Sequence, residues 1–254
     1  YIATGHYAKI QKEGPDYFLM KSRDKTKDQS YFLYSIEKEK LPGILFPLAD
    51  HTKAEVRKIA KESGLPVAEK AESQEVCFVP DDDYRKFIRE NAPARSSVPG
   101  NIVDFEGNII GKHEGIEFFT VGQRKGLRIS SAAPLYVIKI DACKNEITAG
   151  ERRYLKSRSL IAGCINILAG GLPSRATAKI RYNHRKAPCE LKILKDIDTG
   201  SIDRKKTGPG SSNDFKIEVI FDEPQESVTP GQSVVFYDSD TVLGGGIIES
   251  SRSS

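Results

Sequence analysis

The sequence predicts a chain of mixed class: an α/β segment over about the first 80 residues, a small mixed middle, and an all-β C-terminal part. Three observations carry this. Helix start and stop signals concentrate early in the chain, and hairpin patterning begins after Pro99. From Ser159 onward nearly every run is strand-like and bounded by turn residues, which favours a small barrel or sandwich.

Residues 1–22 read as a strand, a turn at Gly14-Pro15-Asp16 and a second strand, Tyr17–Lys21. Asp28 or Ser30 is placed to cap a short helix through Ile36. The strongest helix signal is Thr52–Ser63: Thr52 and Glu55 form a T-x-x-E capping box, and Val56, Ile59 and Ala60 recur on one face. Gly64 and Pro66 then stop it. A second helix runs from an Asp81–Asp83 cap through Tyr84, Phe87 and Ile88. Asn101–Ile110 is a hairpin around Glu106-Gly107-Asn108, and Leu135–Ile140 joins Glu146–Thr148 through Lys144-Asn145. Further turns are expected at Gly170-Gly171, Pro188, Pro224 and Pro230-Gly231. The polar, glycine-rich stretch Asp198–Asp214 is expected to be a mobile loop between two barrel strands.

An apolar fraction of 38% against 29% charge favours several modest cores over one large one. Apolar runs such as Gly43–Leu48 and Ser159–Leu168 are too short to span a bilayer, and no basic-then-apolar leader opens the chain. The four cysteines are scattered, with no C-x-x-C pair and no histidine at zinc spacing, so free thiols in a cytoplasmic setting and no structural metal are expected. The chain opens at Tyr1 and its one methionine is Met20, so it reads as a piece of a longer protein. A net charge of +4 is too small to argue for nucleic acid, but its distribution is uneven. Lys179, Arg181, Arg185, Lys186, Lys192 and Lys195 face only Glu190 over one stretch, and Arg124, Lys125 and Arg128 sit among glycines. Either set suits phosphates; either also reads as a solvated face.

Several segments have residues suited to chemistry. Ile2-Ala3-Thr4-Gly5-His6 is an apolar strand that breaks at a glycine, where backbone can approach a flat base with His6 beside it; it equally reads as a strand ending in a turn. Lys27, Asp28 and Gln29 combine a cation, a carboxylate and an amide before an aromatic run, a set that holds phosphate and sugar edges or caps a helix. Cys77 follows Glu69, Glu72 and Glu75, which raise a thiol pKa with only Lys70 opposing, so a reactive Cys77 needs help from distant groups or from substrate. Alternation over Ala178–Tyr182 places Lys179 and Arg181 on one face and Ile180 and Tyr182 on the other, a pattern that suits RNA or a strand with one wet face.

Taken in order, ATGHYA, KDQSYFL, SGLPVAEK, SQEVCF, FTVGQRKGL, KIRY, TPGQSVVFY and LGGGII resemble the tRNA-specific 2-thiouridylase family from residue 1 to about 250. The resemblance implies the C-terminal part of an N-type ATP pyrophosphatase domain (adenine nucleotide α-hydrolase-like, 1–82), a small central domain (83–157) and a C-terminal β-barrel (158–254). It implies ATP with magnesium as co-substrate, adenylation of the C2 oxygen of uridine 34 in tRNAs for Lys, Glu and Gln, and sulfur delivered from a cysteine persulfide. Either a sulfur-relay protein or a cysteine desulfurase feeds that cysteine, and no membrane is involved. By the same resemblance, Gly5 contacts ATP, Cys77 carries the persulfide, and His6, Lys27, Asp28, Gln29, Arg181, Tyr182 and Gln232 meet tRNA.

The family's S-G-G-x-D-S pyrophosphate loop and its second catalytic cysteine, which pairs in a disulfide with the persulfide-bearing one, do not occur in these residues. Two other readings fit the residues: a tRNA-gripping module without catalysis, and a different N-type ATP pyrophosphatase acting on a small carboxylate. Residues 1–254 alone are expected to form no 2-thiouridine from ATP and a persulfide donor; nucleoside analysis of treated tRNA checks this, and measurable product would contradict it.

Overall fold

The computed structural model describes residues 1–65, 83–91, 98–195 and 215–253. Cys77, the Pro66 stop, the Asp81 and Asp82 cap positions and the Asp198–Asp214 loop lie outside the described residues. In chain order the elements are β1 (Ile2–Ala3), β2 (Ala8–Glu13), β3 (Asp16–Lys21), β4 (Ile44–Leu45), α1 (Lys53–Glu62), α2 (Tyr84–Asn91), β5 (Gly100–Val103) and β6 (Ile109–His113). They continue as β7 (Tyr136–Asp141), β8 (Glu146–Gly150), β9 (Lys156–Ile167), β10 (Arg175–Lys179), β11 (Ala187–Lys195), β12 (Phe215–Glu226), β13 (Ser233–Asp238) and β14 (Thr241–Ser253). These fall into two compact units. One joins the start of the chain to the C-terminal strands; the other holds the middle of the chain together with Gln225–Thr229.

In the first unit six strands close on themselves in the order β13-β10-β11-β12-β9-β14, with β14 returning to β13. Closure leaves these strands no free edge. The β2–β3 hairpin extends this sheet through a Thr241–Met20 pairing, and β1 pairs in parallel with β4. Along β13, Val234, Val235, Phe236 and Tyr237 are all fully buried. Successive strand residues point to opposite faces, so both faces of β13 are covered. Val235 and Tyr237 pack with Ala8, Leu19, Tyr31 and Tyr34 from the start of the chain. The N-terminal segment therefore shares a core with the barrel.

Polar bonds lock that packing. The buried Asn166 on β9 donates through Nδ2 to Tyr34 O at 2.6 Å and Ile36 O at 2.8 Å. The LGGGII run of β14 allows the approach: a Cβ at Gly244 would collide with Asn166 O, and one at Gly245 would lie 2.6 Å from the Tyr34 ring.

The second unit is a four-stranded sheet, β6-β5-β8-β7, with β5 and β8 parallel and the outer pairs antiparallel. Its core is built on Ile102, Phe118, Leu127, Val137 and Ile147, with Ile88 of α2 against it. Asp104 accepts from the main chain of Glu106 and Asn108 and so shapes the expected 106–108 turn.

The α1 capping box forms as read: Thr52 Oγ1 accepts from Glu55 N at 3.3 Å and Glu55 Oε2 accepts from Thr52 N at 2.7 Å. Three local expectations are corrected. The helix expected through Ile36 is only a 3₁₀ turn at Ser30–Phe32, and the Asp28 carboxylate bonds across to Ser22 N as well as to Ser30. Pro188 is not a turn but the second residue of β11, ahead of the first β11–β12 pair at Cys189. Pro224 likewise lies in β12, beyond its last pair with β11 at Phe221. In both places no β11–β12 bond needs the missing N–H.

Asn166→Ala removes one buried and one part-buried bond and leaves two carbonyls without them, a loss of about 2–4 kcal/mol. Denaturant unfolding should show the lowered midpoint; a variant within about 0.5 kcal/mol of the parent would mean that Asn166 does not hold the segment.

Candidate nucleic-acid interface

The parallel pairing of β1 with β4 fixes the direction of the first strand, and the chain leaves its carboxyl end at Thr4-Gly5-His6. Open α/β sheets take ligands at that end. Thr4 Oγ1 lies 2.9 Å from His6 Nδ1, and the His6 ring meets Phe46 edge-on at 6.3 Å. A Cβ at the exposed Gly5 would touch only Leu48 Cδ1 at an ordinary 3.8 Å, and the backbone there is not left-handed. The chain's own folding does not require glycine at position 5, and the space above it suits a flat group approaching bare backbone.

Gln29 joins this corner to the next segment by two bonds to Tyr7: its N donates to Tyr7 O at 2.8 Å, and its Oε1 accepts from Tyr7 N at 2.9 Å. The buried Asp28 turns inward, accepting from Ser22 N at 3.2 Å and Ser30 Oγ at 2.9 Å. Lys27 is half-buried beside them and acts electrostatically on Tyr182. Within the expected trio, Asp28 and Gln29 thus hold the shape of the segment.

That shape presents aromatic rings. Phe32, 54% exposed, packs on Tyr182 with centroids 4.7 Å apart and planes 32° apart. Tyr31 meets Phe32 at 5.4 Å and Tyr182 at 6.4 Å. Cations ring the cluster. Lys179 Nζ lies 5.2 Å from the Tyr182 centroid and 5.8 Å from that of Tyr31. Lys21 and Lys186 both stand over Tyr237, at 4.7 and 5.5 Å. Such contacts are favourable by about 0.5–2 kcal/mol each, most when desolvated.

The expected alternation over Ala178–Tyr182 fails at its end. Because β10 stops at Lys179, Tyr182 comes round to the side of Lys179. Arg181 is half-buried, and burial pushes its guanidinium pKa down, with Tyr31 opposing in part. Gln232 adjoins the cluster at Ser233, whose carbonyl accepts from Tyr31 Oη at 2.8 Å. Its own Oε1 is buried with no hydrogen-bond partner among the described residues.

Burial, then repulsion from Lys186, lowers the Lys21 pKa to about 8, while Asp28 opposes. Burial also lowers Lys179 and raises Tyr31 to about 12. A half-desolvated set of cations around an aromatic surface gains most from an anion, and a base can stack on the exposed ring. Sequence reasoning passed over Lys21 and Phe32: Lys21 resembles any lysine closing an amphipathic strand, and only the β3–β14 pairing brings it to Tyr237. Among the described residues no His, Cys, Asp and Glu cluster suits a metal, and no helix is long and apolar enough to cross a membrane. Cys143, Cys164 and Cys189 are free thiols, and burial pushes the last to about 12.

Three family models match the chain in succession. Residues 1–81 match a tRNA methyl transferase HUP domain, 85–151 a tRNA methyl transferase PRC-barrel domain, and 210–248 an aminomethyltransferase beta-barrel domain. The fold class is therefore a HUP segment followed by a central and a C-terminal barrel domain. Similar curated proteins are the tRNA-specific 2-thiouridylase MnmA of Geotalea uraniireducens (48% identical over 251 residues), MnmA 1 of Syntrophus aciditrophicus (46% over 250) and MnmA of Acetivibrio thermocellus (46% over 254). Each alignment covers 98% of this chain and, respectively, 62%, 61% and 66% of the relative, so the chain spans less than two thirds of their length. It belongs to the tRNA-specific 2-thiouridylase family.

Lys21 is charged in both folded and unfolded chains below pH 8, and between about 8 and 10.5 only the unfolded chain keeps the proton. Its burial penalty is therefore fully present at neutral pH and is relieved as pH rises through that window. A lysine side-chain NMR titration should show one signal with a midpoint near 8 that disappears in K21R; a parent spectrum with no such signal would contradict the assignment.

Proposed function

We propose that the protein of which this chain is a part thiolates C2 of the wobble uridine in tRNA in the cytoplasm. The observation that carries the reading is a convergence. Segments about 150 residues apart, Lys27–Phe32 and Arg181-Tyr182, form one aromatic and cationic surface, and Gln29 bonds that surface to the main chain beside Gly5 and His6.

In this reading Gly5 leaves room for the adenine of ATP, and His6 meets the RNA at the same corner. Tyr182 and Phe32 take an unstacked base or ribose, while Lys27, Lys179 and Arg181 neutralise phosphates. Gln232 contacts the RNA beside this cluster. Asp28 and Gln29 keep the segment in place. ATP with magnesium, when bound, activates the C2 oxygen of the uridine. Cys77 holds the sulfur as a persulfide supplied by a relay protein or a cysteine desulfurase. Its outer sulfur bonds to C2 as AMP departs with the former C2 oxygen, and a second thiol completes the release by forming a disulfide with Cys77. The domain boundaries that fit this division of labour are 1–82, 83–157 and 158–254.

In the full-length protein, C77S should abolish 2-thiouridine, read by mass spectrometry of tRNA nucleosides, and leave tRNA affinity unchanged. Tyr182→Ala should weaken tRNA binding by about 1–3 kcal/mol, the range for losing a stacked base. Unchanged turnover in C77S would exclude a persulfide on this residue.

A further inference from the structure

The second unit presents cations of its own. Val121–Ile129 leaves the core as a loop whose shape is held by several bonds. Gly122 N donates to Val137 O at 2.8 Å, and Val137 N donates back to Gln123 O at 2.9 Å. The Gln123 side chain braces both ends, accepting from Thr120 N at 3.1 Å and donating to Lys125 O at 2.7 Å. Leu127 is buried in the core and anchors the middle.

Gly122 and Gly126 take left-handed backbone at φ 90° and 91°, as glycine allows, but Arg128 does so as well, at φ 54°. An arginine in this region is held against its backbone preference, and its side chain leaves the loop at an angle that the turn sets. Arg124 and Arg128 line a cleft of about 310 Å³ with Leu127, Ile129 and Ser131. Arg85 lies behind the loop: its guanidinium sits 5.2 Å from the Phe118 ring centroid, and a Cβ at Gly126 would stand 3.3 Å from its Nη2.

The charges are poorly balanced. Glu114 pairs with Arg89 at 2.9 Å and only distantly with Arg128 at 3.7 Å, leaving the Arg128 side chain 79% exposed. No carboxylate among the described residues pairs with Arg85, Arg124 or Lys125. A braced loop that carries two exposed arginines at a shallow cleft fits a phosphodiester better than a neutral ligand, since guanidinium forks match phosphate oxygens.

We propose that the Val121–Ile129 loop is a phosphate-binding site for an RNA backbone, with Arg124 and Arg128 as the contacting cations and Arg85 supporting them from behind. The proposal rests on the tRNA reading above and adds to it a contact in a different unit of the chain.

The test uses full-length protein, tRNA and binding measured over a range of salt. R124Q and R128G should each weaken binding several-fold and flatten the plot of log affinity against log salt by about 0.9, the value of one phosphate contact. R128G should keep or raise the thermal midpoint, because glycine relieves the backbone, so its binding defect cannot be unfolding. Slopes equal to the parent's would overturn the site while leaving the thiolation reading intact, provided that the parent binds tRNA. The same loss in K112Q, a cation exposed elsewhere on this unit, would reduce the effect to general charge and also overturn it. A parent that binds no tRNA at any salt would sink both proposals.

Discussion

Strand β13 has no solvent-facing side along Val234–Tyr237, and much else follows from this. Barrel strands ordinarily keep one face for the interior and one for water. Here the outer face is taken by Tyr31, Tyr34, Leu19 and Ala8, and Asn166 pins the same segment by two main-chain carbonyls. The start of the chain and the barrel therefore cannot separate without exposing a shared core. The residues of the candidate interface from Gly5 to Tyr182 all belong to that one packed unit.

The electrostatics follow from the packing. Lys21, Lys179 and Lys186 lie close together because β3 and β10 converge on Tyr237 and Tyr31, and burial holds two of these lysines below their ordinary pKa. Asp28 supplies part of the compensation from beneath, since it favours the charged forms of both Lys21 and Lys179. The folded chain bears this cost at neutral pH, and an anion placed beside these lysines would relieve it. The interface is therefore strained electrostatically rather than sterically, and salt and pH act on it directly.

Much of this was legible before any coordinates. Local signals with a mechanism held: the Thr52/Glu55 box, the hairpin at Glu106-Gly107-Asn108 and the run of barrel strands. Misreadings arose where a long-range partner overrode a local rule. Asp28 reads as a helix cap until Ser22, six residues earlier, takes its carboxylate. Pro188 and Pro224 read as turns until the register shows that β11 and β12 do not pair at those positions. Alternation carried Lys179 but not Tyr182, because the strand ends between them. Lys21 and Phe32 acquire their surroundings only from the sheet that β14 completes.

The pair of bonds between Gln29 and Tyr7 has a consequence for measurement. The corner at Gly5 and the segment that carries Phe32 are tied by these two bonds, so the fold sets the spacing between the corner and the rings. Under the proposed function, a polynucleotide lying across both would reach the corner only with the nucleotide at the matching spacing. Selection by length would then need no base to be read.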